Sequence, residues 1–153
     1  LQDHLWILSG LYGCARPFHA VEPYRLEMGA KLAVDDARNL YAFWSDKLAR
    51  AIAPAGSNTT IVNLASVEYA KAVLPHLAGD ATVVTCLFGE GIRNGKPIQR
   101  STASKKARGA MVRWMAENKL EDTSELTAFN IGYRHIPELS DKDSLVFMNA
   151  RAQ

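Results

Sequence analysis

Tyr24, Arg25 and Glu27 stand within four residues of one another, between Pro23 and Gly29. In an extended segment Arg25 and Glu27 project to the same side. They then either form a structural ion pair or position a substrate that carries a phosphate or carboxylate. Other reactive residue types show no comparable arrangement. His4, His19, His76 and His135 lack metal-ligand spacing, and there is no Cys/His zinc pattern, phosphate loop, dinucleotide fingerprint or serine nucleophile elbow. No metal or cofactor is expected, and no catalytic residue can be named.

A second chemistry lies in the charge distribution. From Glu90 to Lys119 the bases are Arg93, Lys96, Arg100, Lys105, Lys106, Arg108, Arg113 and Lys119, against the acids Glu90 and Glu117. That excess of six positive charges, in a chain of net charge +2, leaves −4 on the remainder. Such asymmetry points to an anionic partner. A helix over 102–118 would put Ala103, Ala107, Ala110, Met111, Trp114 and Met115 on one face. Lys105, Arg108 and Lys119 would lie opposite, with Lys106 and Arg113 as a second stripe. The face is either solvated surface, the usual case, or an anion-binding surface, which the scarcity of acidic i,i+4 partners puts on an equal footing. Gly109, in mid-helix, costs about 1 kcal/mol relative to Ala. It marks either a close approach by another group or a tolerated packing contact.

A third arrangement is the run Leu5, Leu8, Gly10, Leu11, Gly13. It has the character of a helix-hairpin-helix, in which a glycine turn aims backbone N–H groups at a DNA phosphate without reading sequence. The spacing is one residue longer than usual, and Pro17 and Pro23 disfavour a second helix directly after the turn. Helix capping by Gly10 is the plainer alternative.

These residues need elements to hold them. Residues 1–9 read as the end of an amphipathic helix, followed by a tight turn at Ser9–Gly13. Residues 39–53 carry a helical stripe with Asn39 as N-cap, closed by Pro54 and Gly56. Thr59–Ala65 reads as a buried strand, and Ser66 caps a helix from Val67 to about Leu74, stopped by Pro75. Ala81–Phe88 is a second apolar strand, Gly89–Gly95 a hairpin, and Lys96–Ser101 the return strand. The 102–118 helix follows, capped by Ser101 or Thr102, and Ser144–Asn149 is a last strand. Strands alternating with helices indicate an α/β domain with a mixed sheet and packed helices. No linker or repeat interrupts it, so 153 residues are expected to form a single compact domain. No apolar run is long enough to span a membrane. Cys14 and Cys86, 72 positions apart, read as reduced thiols of a cytoplasmic protein. The uncapped apolar start implies an absent N-terminal segment and, without it, an exposed apolar patch around Leu1, Leu5 and Trp6.

Several blocks of the chain resemble the YaaA family of peroxide stress proteins. They are Leu8–Gly13, Arg16-Pro17, Pro23–Gly29, Asn39-Leu40-Tyr41 with Phe43-Trp44, Asn63–Ser66 with Glu68-Tyr69, Lys105–Gly109, and Phe129-Asn130 with Gly132-Tyr133. They fall in family order and cover the family's last two-thirds; its opening third is absent. Where many members carry an aromatic pair before the Lys-Lys-Ala-Arg-Gly block, this chain has Thr102-Ala103, so the resemblance does not extend to base stacking there. The stretch from Gly132 to Asp143 is also short. The resemblance implies a mixed α/β fold with a basic cleft and a helix-hairpin-helix element at Ser9–Gly13. It implies binding of double-stranded DNA without marked sequence preference, and a role against hydrogen peroxide by limiting free intracellular iron. The residues expected at DNA are Ser9, Gly10, Tyr12, Gly13, Arg16, Lys105, Lys106, Arg108 and Arg113. The alternative is an enzyme or small-molecule binder with Tyr24, Arg25, Glu27, Lys105 and Arg108 lining one polar pocket.

Overall fold

The computed structural model describes residues 2–151, which group into two compact units. The first holds residues 2–59 and 65–82, the second residues 60–64 and 83–151.

The first unit opens with a β-hairpin. Strands β1 (Ile7–Ser9) and β2 (Gly13–Ala15) pair antiparallel, with Ile7 opposite Ala15 and Ser9 opposite Gly13. The helix expected over residues 1–9 is therefore corrected to a turn followed by a strand, and the glycine turn joins two strands instead of two helices. The loop is Gly10-Leu11-Tyr12, closed by Gly13 at φ 70°. Three-residue hairpin loops need a left-handed residue at this place, which glycine adopts without penalty. A side chain at Gly13 would also overlap: its Cβ would lie 2.7 Å from Trp44 and 2.8 Å from Leu48.

Asn39 caps the next helix as expected, its Oδ1 accepting from the Ala42 N–H at 2.9 Å. The single helix expected over 39–53 is two: α1 (Leu40–Trp44) and α2 (Lys47–Ile52), broken at Ser45 with φ 47°. The helix α3 (Val67–Ala70) is shorter than expected, and Pro75 sits inside a following 3-10 turn, Leu74–His76, instead of ending a helix. Met28, Leu40, Leu48, Ala49, Ala72 and Val73 form this unit's core. Trp44 ties the hairpin to it, donating from Nε1 to the Gly10 carbonyl at 3.1 Å. Leu5 and Trp6 are half-buried and Leu1 lies outside the described residues. Of the large apolar side chains exposed in this unit, Phe18 and Val67 are the most open.

The second unit is a four-stranded sheet in the order β3-β4-β8-β7, formed by β3 (Thr60–Asn63), β4 (Thr82–Gly89), β7 (Tyr133–His135) and β8 (Ser144–Asn149). β4 and β8 run parallel and β7 antiparallel to β8, so the sheet is mixed, as expected of the α/β fold. Between β4 and the helix lies a small hairpin, β5 (Ile92–Arg93) with β6 (Lys96–Pro97); the return strand ends four residues earlier than expected. The helix α4 (Ser101–Asn118) makes the crossover between the parallel strands. Its N-cap is Arg100, which makes no side-chain cap bond; Ser101 and Thr102 are already helical. Ala107 and Met111 are buried, and Ala110, Trp114 and Met115 pack on the same core with Phe88, Phe129 and Phe147. Phe88 stacks on Phe147 at 5.4 Å between ring centroids, and Phe129 meets both edge-on. No helix among the described residues is long and apolar enough to cross a membrane.

Candidate functional site

In the first unit the polar residues gather around the hairpin loop. Ser9 is buried, and its Oγ accepts the N–H groups of Leu11 at 3.2 Å and Tyr12 at 2.9 Å. The same Oγ lies 2.5 Å from Tyr24 Oη. The Tyr12 hydroxyl accepts the Glu22 N–H at 2.9 Å, and the Tyr12 and Tyr24 rings meet edge-on at 5.5 Å. Gly10 is required because a Cβ there would stand 2.7 Å from the Leu26 carbonyl oxygen. The loop is thereby fastened to the Pro23–Gly29 segment by hydroxyl bonds, ring contact and close backbone approach together.

Arg25, Leu26, Glu27 and Ala30 line a shallow depression on this segment. Arg25 and Glu27 are both exposed, and neither forms an ion pair among the described residues. The structural Arg–Glu pair is therefore absent. Behind the depression, Glu68 Oε1 accepts the Gly29 N–H at 2.7 Å, and Tyr41 donates to the Glu68 carbonyl at 3.1 Å. Burial raises the Tyr69 phenol above its usual range, a backbone hydrogen bond with Met28 opposes this, and the nearby Glu68, Tyr24 and Glu27 add to the rise. Burial also raises Tyr41, with Glu68 adding to it. Glu68 and Tyr69 thus belong to this cluster on chemical grounds, although their spacing in the sequence gave no ligand pattern.

Arg16 is not a free surface cation. Its guanidinium lies 3.4 Å from the Trp6 ring centroid, and Nη1 donates to the Gln2 carbonyl at 3.4 Å. Stacking holds the fork flat and leaves other N–H groups for a partner. Cys14, beside it, is a free thiol raised by burial, with the Arg16 charge acting the other way.

In the second unit the basic residues of α4 divide into three kinds. Lys105 and Lys106 are exposed and have no ion pair among the described residues. Arg113 donates from Nε to Glu117 Oε1 at 2.7 Å, an exposed i,i+4 pair. Arg108 is half-buried, donates from Nη2 to Gln99 Oε1 at 3.3 Å, and is lowered from its usual range by burial. The segment's other acid, Glu90, pairs with Arg100 at 3.2 Å. Both local acids are therefore spent on Arg100 and Arg113, and Lys105, Lys106 and Arg108 keep their charge unneutralised. Gly109 has nothing within 4 Å of an added Cβ, so neither a close approach nor a packing contact accounts for it. Tyr24, Arg25 and Glu27 belong to the first unit and Lys105 and Arg108 to the second. Among the described residues no group of three or more His, Cys, Asp or Glu could hold a metal ion.

A family model described as peroxide stress protein YaaA matches residues 1–139. The chain belongs to that family. It is 45% identical over 154 residues to a UPF0246 protein of Desulfitobacterium hafniense, covering all of this chain and 60% of the relative. A UPF0246 protein of Pediococcus pentosaceus is 48% identical over 149 residues, covering 97% of this chain and 58% of its own length. One from Roseobacter denitrificans is 46% identical over 152 residues, with 96% and 58% covered. The chain thus spans about three-fifths of the length of the relatives it matches. Membership in the YaaA family agrees with the blocks from Leu8 to Tyr133, which here prove to be the hairpin, the Pro23–Gly29 segment, the α1 and α3 regions, the first half of α4 and the start of β7.

Proposed function

We propose that this YaaA-family chain serves in the cytoplasmic response to hydrogen peroxide as a DNA-binding protein that contacts the duplex backbone without reading its sequence, and that it helps to limit free intracellular iron. The observation that carries the reading is the neutralisation pattern of α4: Glu90 and Glu117 are both engaged, while Lys105, Lys106 and Arg108 have no acid partner among the described residues. Unpaired cations along one helix attract a polyanion by releasing its counterions, a term that dominates non-specific binding. The hairpin loop at Ser9–Gly13 and the stacked Arg16 are the contacts proposed in the first unit. The link to peroxide is supported by the family; the link to iron is part of the proposal.

The test is fluorescence anisotropy of the chain with labelled duplexes of unrelated sequence across a range of salt. Equal affinity for all duplexes and a steep linear fall of log K with log salt support the reading. Salt-independent or absent binding overturns it. The iron arm is tested by measuring unincorporated iron in peroxide-stressed cells with and without the gene.

A second reading, a binder or enzyme for a small phosphate or carboxylate, is favoured by one observation: Arg25 and Glu27 line an open depression with their charges unpaired. It predicts saturable binding of a discrete anion that Arg25→Ala removes.

A further inference from the structure

Arg108 is held in a state that proteins rarely leave uncompensated. Its Nε is buried and has no hydrogen-bond partner among the described residues. Its Nη2 reaches only the neutral amide oxygen of Gln99, at 3.3 Å. A guanidinium presents Nε–H and the neighbouring Nη2–H in parallel, as a fork that matches the two oxygens of an oxyanion. Here one tine is empty and the other carries a long bond to an uncharged acceptor. A buried polar group without a partner costs free energy, and a charged one costs more. Burial lowers the Arg108 pKa, as expected of a cation that gives up water without gaining a carboxylate.

We propose that the Nε/Nη2 edge of Arg108 is an oxyanion-binding fork that accepts a phosphate through two parallel N–H···O bonds, with Gln99 as the group that holds the fork open in the free protein. Lys105 stands three positions earlier, which places it on the same side of α4, exposed and without an ion pair among the described residues. It supplies a second positive charge to the same anion. Ser104, one residue earlier still, is excluded as a ligand, since its buried hydroxyl donates to the Phe88 carbonyl at 3.2 Å. Gln99 suits the role because a neutral acceptor is displaced without leaving a charge behind, whereas a carboxylate in its place would neutralise the fork. The phosphate comes either from a nucleic-acid backbone or from a free phosphate. The inference deepens the DNA reading above, and rests on it only for the first of these sources.

Two measurements on the 153-residue chain decide it: anisotropy with a labelled duplex, and an NMR titration of the arginine Nε–H signals with inorganic phosphate. The wild-type Arg108 signal is expected to shift with phosphate. Arg108→Lys keeps the charge and loses the fork, so duplex affinity falls about tenfold or more, a larger loss than for Lys106→Ala. Gln99→Glu fills the fork from within, abolishing the phosphate shift and weakening DNA binding while the thermal midpoint stays level or rises. That variant keeps the proposal falsifiable should Arg108→Lys fold poorly. Gln99→Glu binding both probes like wild type overturns the fork. So does an Arg108 signal that phosphate does not move. If wild type ignores duplex DNA while phosphate still shifts Arg108 and Gln99→Glu removes the shift, the fork stands and the DNA reading falls.

Discussion

Ser9 Oγ lies 2.5 Å from Tyr24 Oη, and the other bonds of Ser9 decide which hydroxyl donates. A hydroxyl has one hydrogen and two lone pairs. Both lone pairs of Ser9 are taken, by the N–H groups of Leu11 and Tyr12. Its hydrogen therefore goes to Tyr24, and the Tyr24 O–H is left to donate elsewhere. One buried hydroxyl thus closes the hairpin loop and also sets which way the neighbouring phenol faces.

The two partners should differ in stability cost. Ser9→Ala orphans two backbone N–H groups at the loop and is expected to destabilise by about 1–3 kcal/mol, while Tyr24→Phe removes only the acceptor of the Ser9 hydrogen and costs about 1 kcal/mol. Urea denaturation of both variants measures the difference. A Tyr24→Phe loss as large as that of Ser9→Ala would reverse the donor assignment.

Two glycines should respond to alanine with opposite signs. At Gly13 the backbone is left-handed and a Cβ would overlap Trp44 and Leu48. Gly13→Ala is expected to lose about 1–2 kcal/mol from the backbone alone, with the overlap adding to it. At Gly109 the space is open, so Gly109→Ala is expected to gain up to about 1 kcal/mol in helix propensity. Thermal melts of the pair check this, and a destabilised Gly109→Ala would reveal a constraint on α4 that the packing does not show.

Those two positions also show what was legible in the sequence. α4 and β8 were, because eighteen residues of helical periodicity and a run of apolar strand formers outvote local noise. Asn39 was, because a cap is a local interaction. The turn at Ser9–Gly13 was legible from its glycines, but β1 was not, because Leu5, Leu8 and Leu11 fit helical spacing equally well, and what decides for a strand is tertiary: the Trp44 indole on the Gly10 carbonyl and the Leu26 carbonyl beside Gly10. Tyr133–His135 was missed because three residues carry no period; β8 makes it a strand. In the candidate site, the charge excess on α4 was legible, but the split into paired Arg113, free Lys105 and Lys106, and half-buried Arg108 was not. For Arg108 it depends on Gln99, nine residues away and in no periodic relation to it.

The two thiols should separate by reactivity. Burial pushes Cys86 up to about 12, and Cys14 is raised as well but is only half-buried. A thiol-directed chromogenic reagent at pH 8 is expected to label Cys14 in the native chain and Cys86 only on unfolding. The folded pKa of Cys86 lies above the unfolded value near 9, so the native state holds this proton more tightly. Its contribution to stability is complete below pH 9 and is lost as pH rises toward 12. Cys86→Ser, followed by urea denaturation between pH 8 and pH 11, should flatten that part of the decline. An unchanged pH profile would assign the decline to other groups.

The bases of α4 should contribute unequally to DNA binding, and the ion-pair pattern says in which order. Removing a side chain that neutralises one phosphate reduces the slope of log K against log salt by about 1 for duplex DNA. Lys105 and Lys106 have no competing carboxylate among the described residues, so Lys105→Ala/Lys106→Ala should lower the slope by about 2. Both side chains are exposed, so the fold should be spared. Arg113 already donates to Glu117 at 2.7 Å, and a phosphate must compete with that bond. Arg113→Ala should therefore change the slope by less than one unit, and Glu117→Gln, which frees Arg113, should raise affinity. Anisotropy titrations at four or more salt concentrations resolve these differences. If Arg113→Ala costs as much slope as either lysine, net charge alone governs binding and the pairing on α4 has no bearing on it. If none of the three changes the slope, the helix does not face DNA.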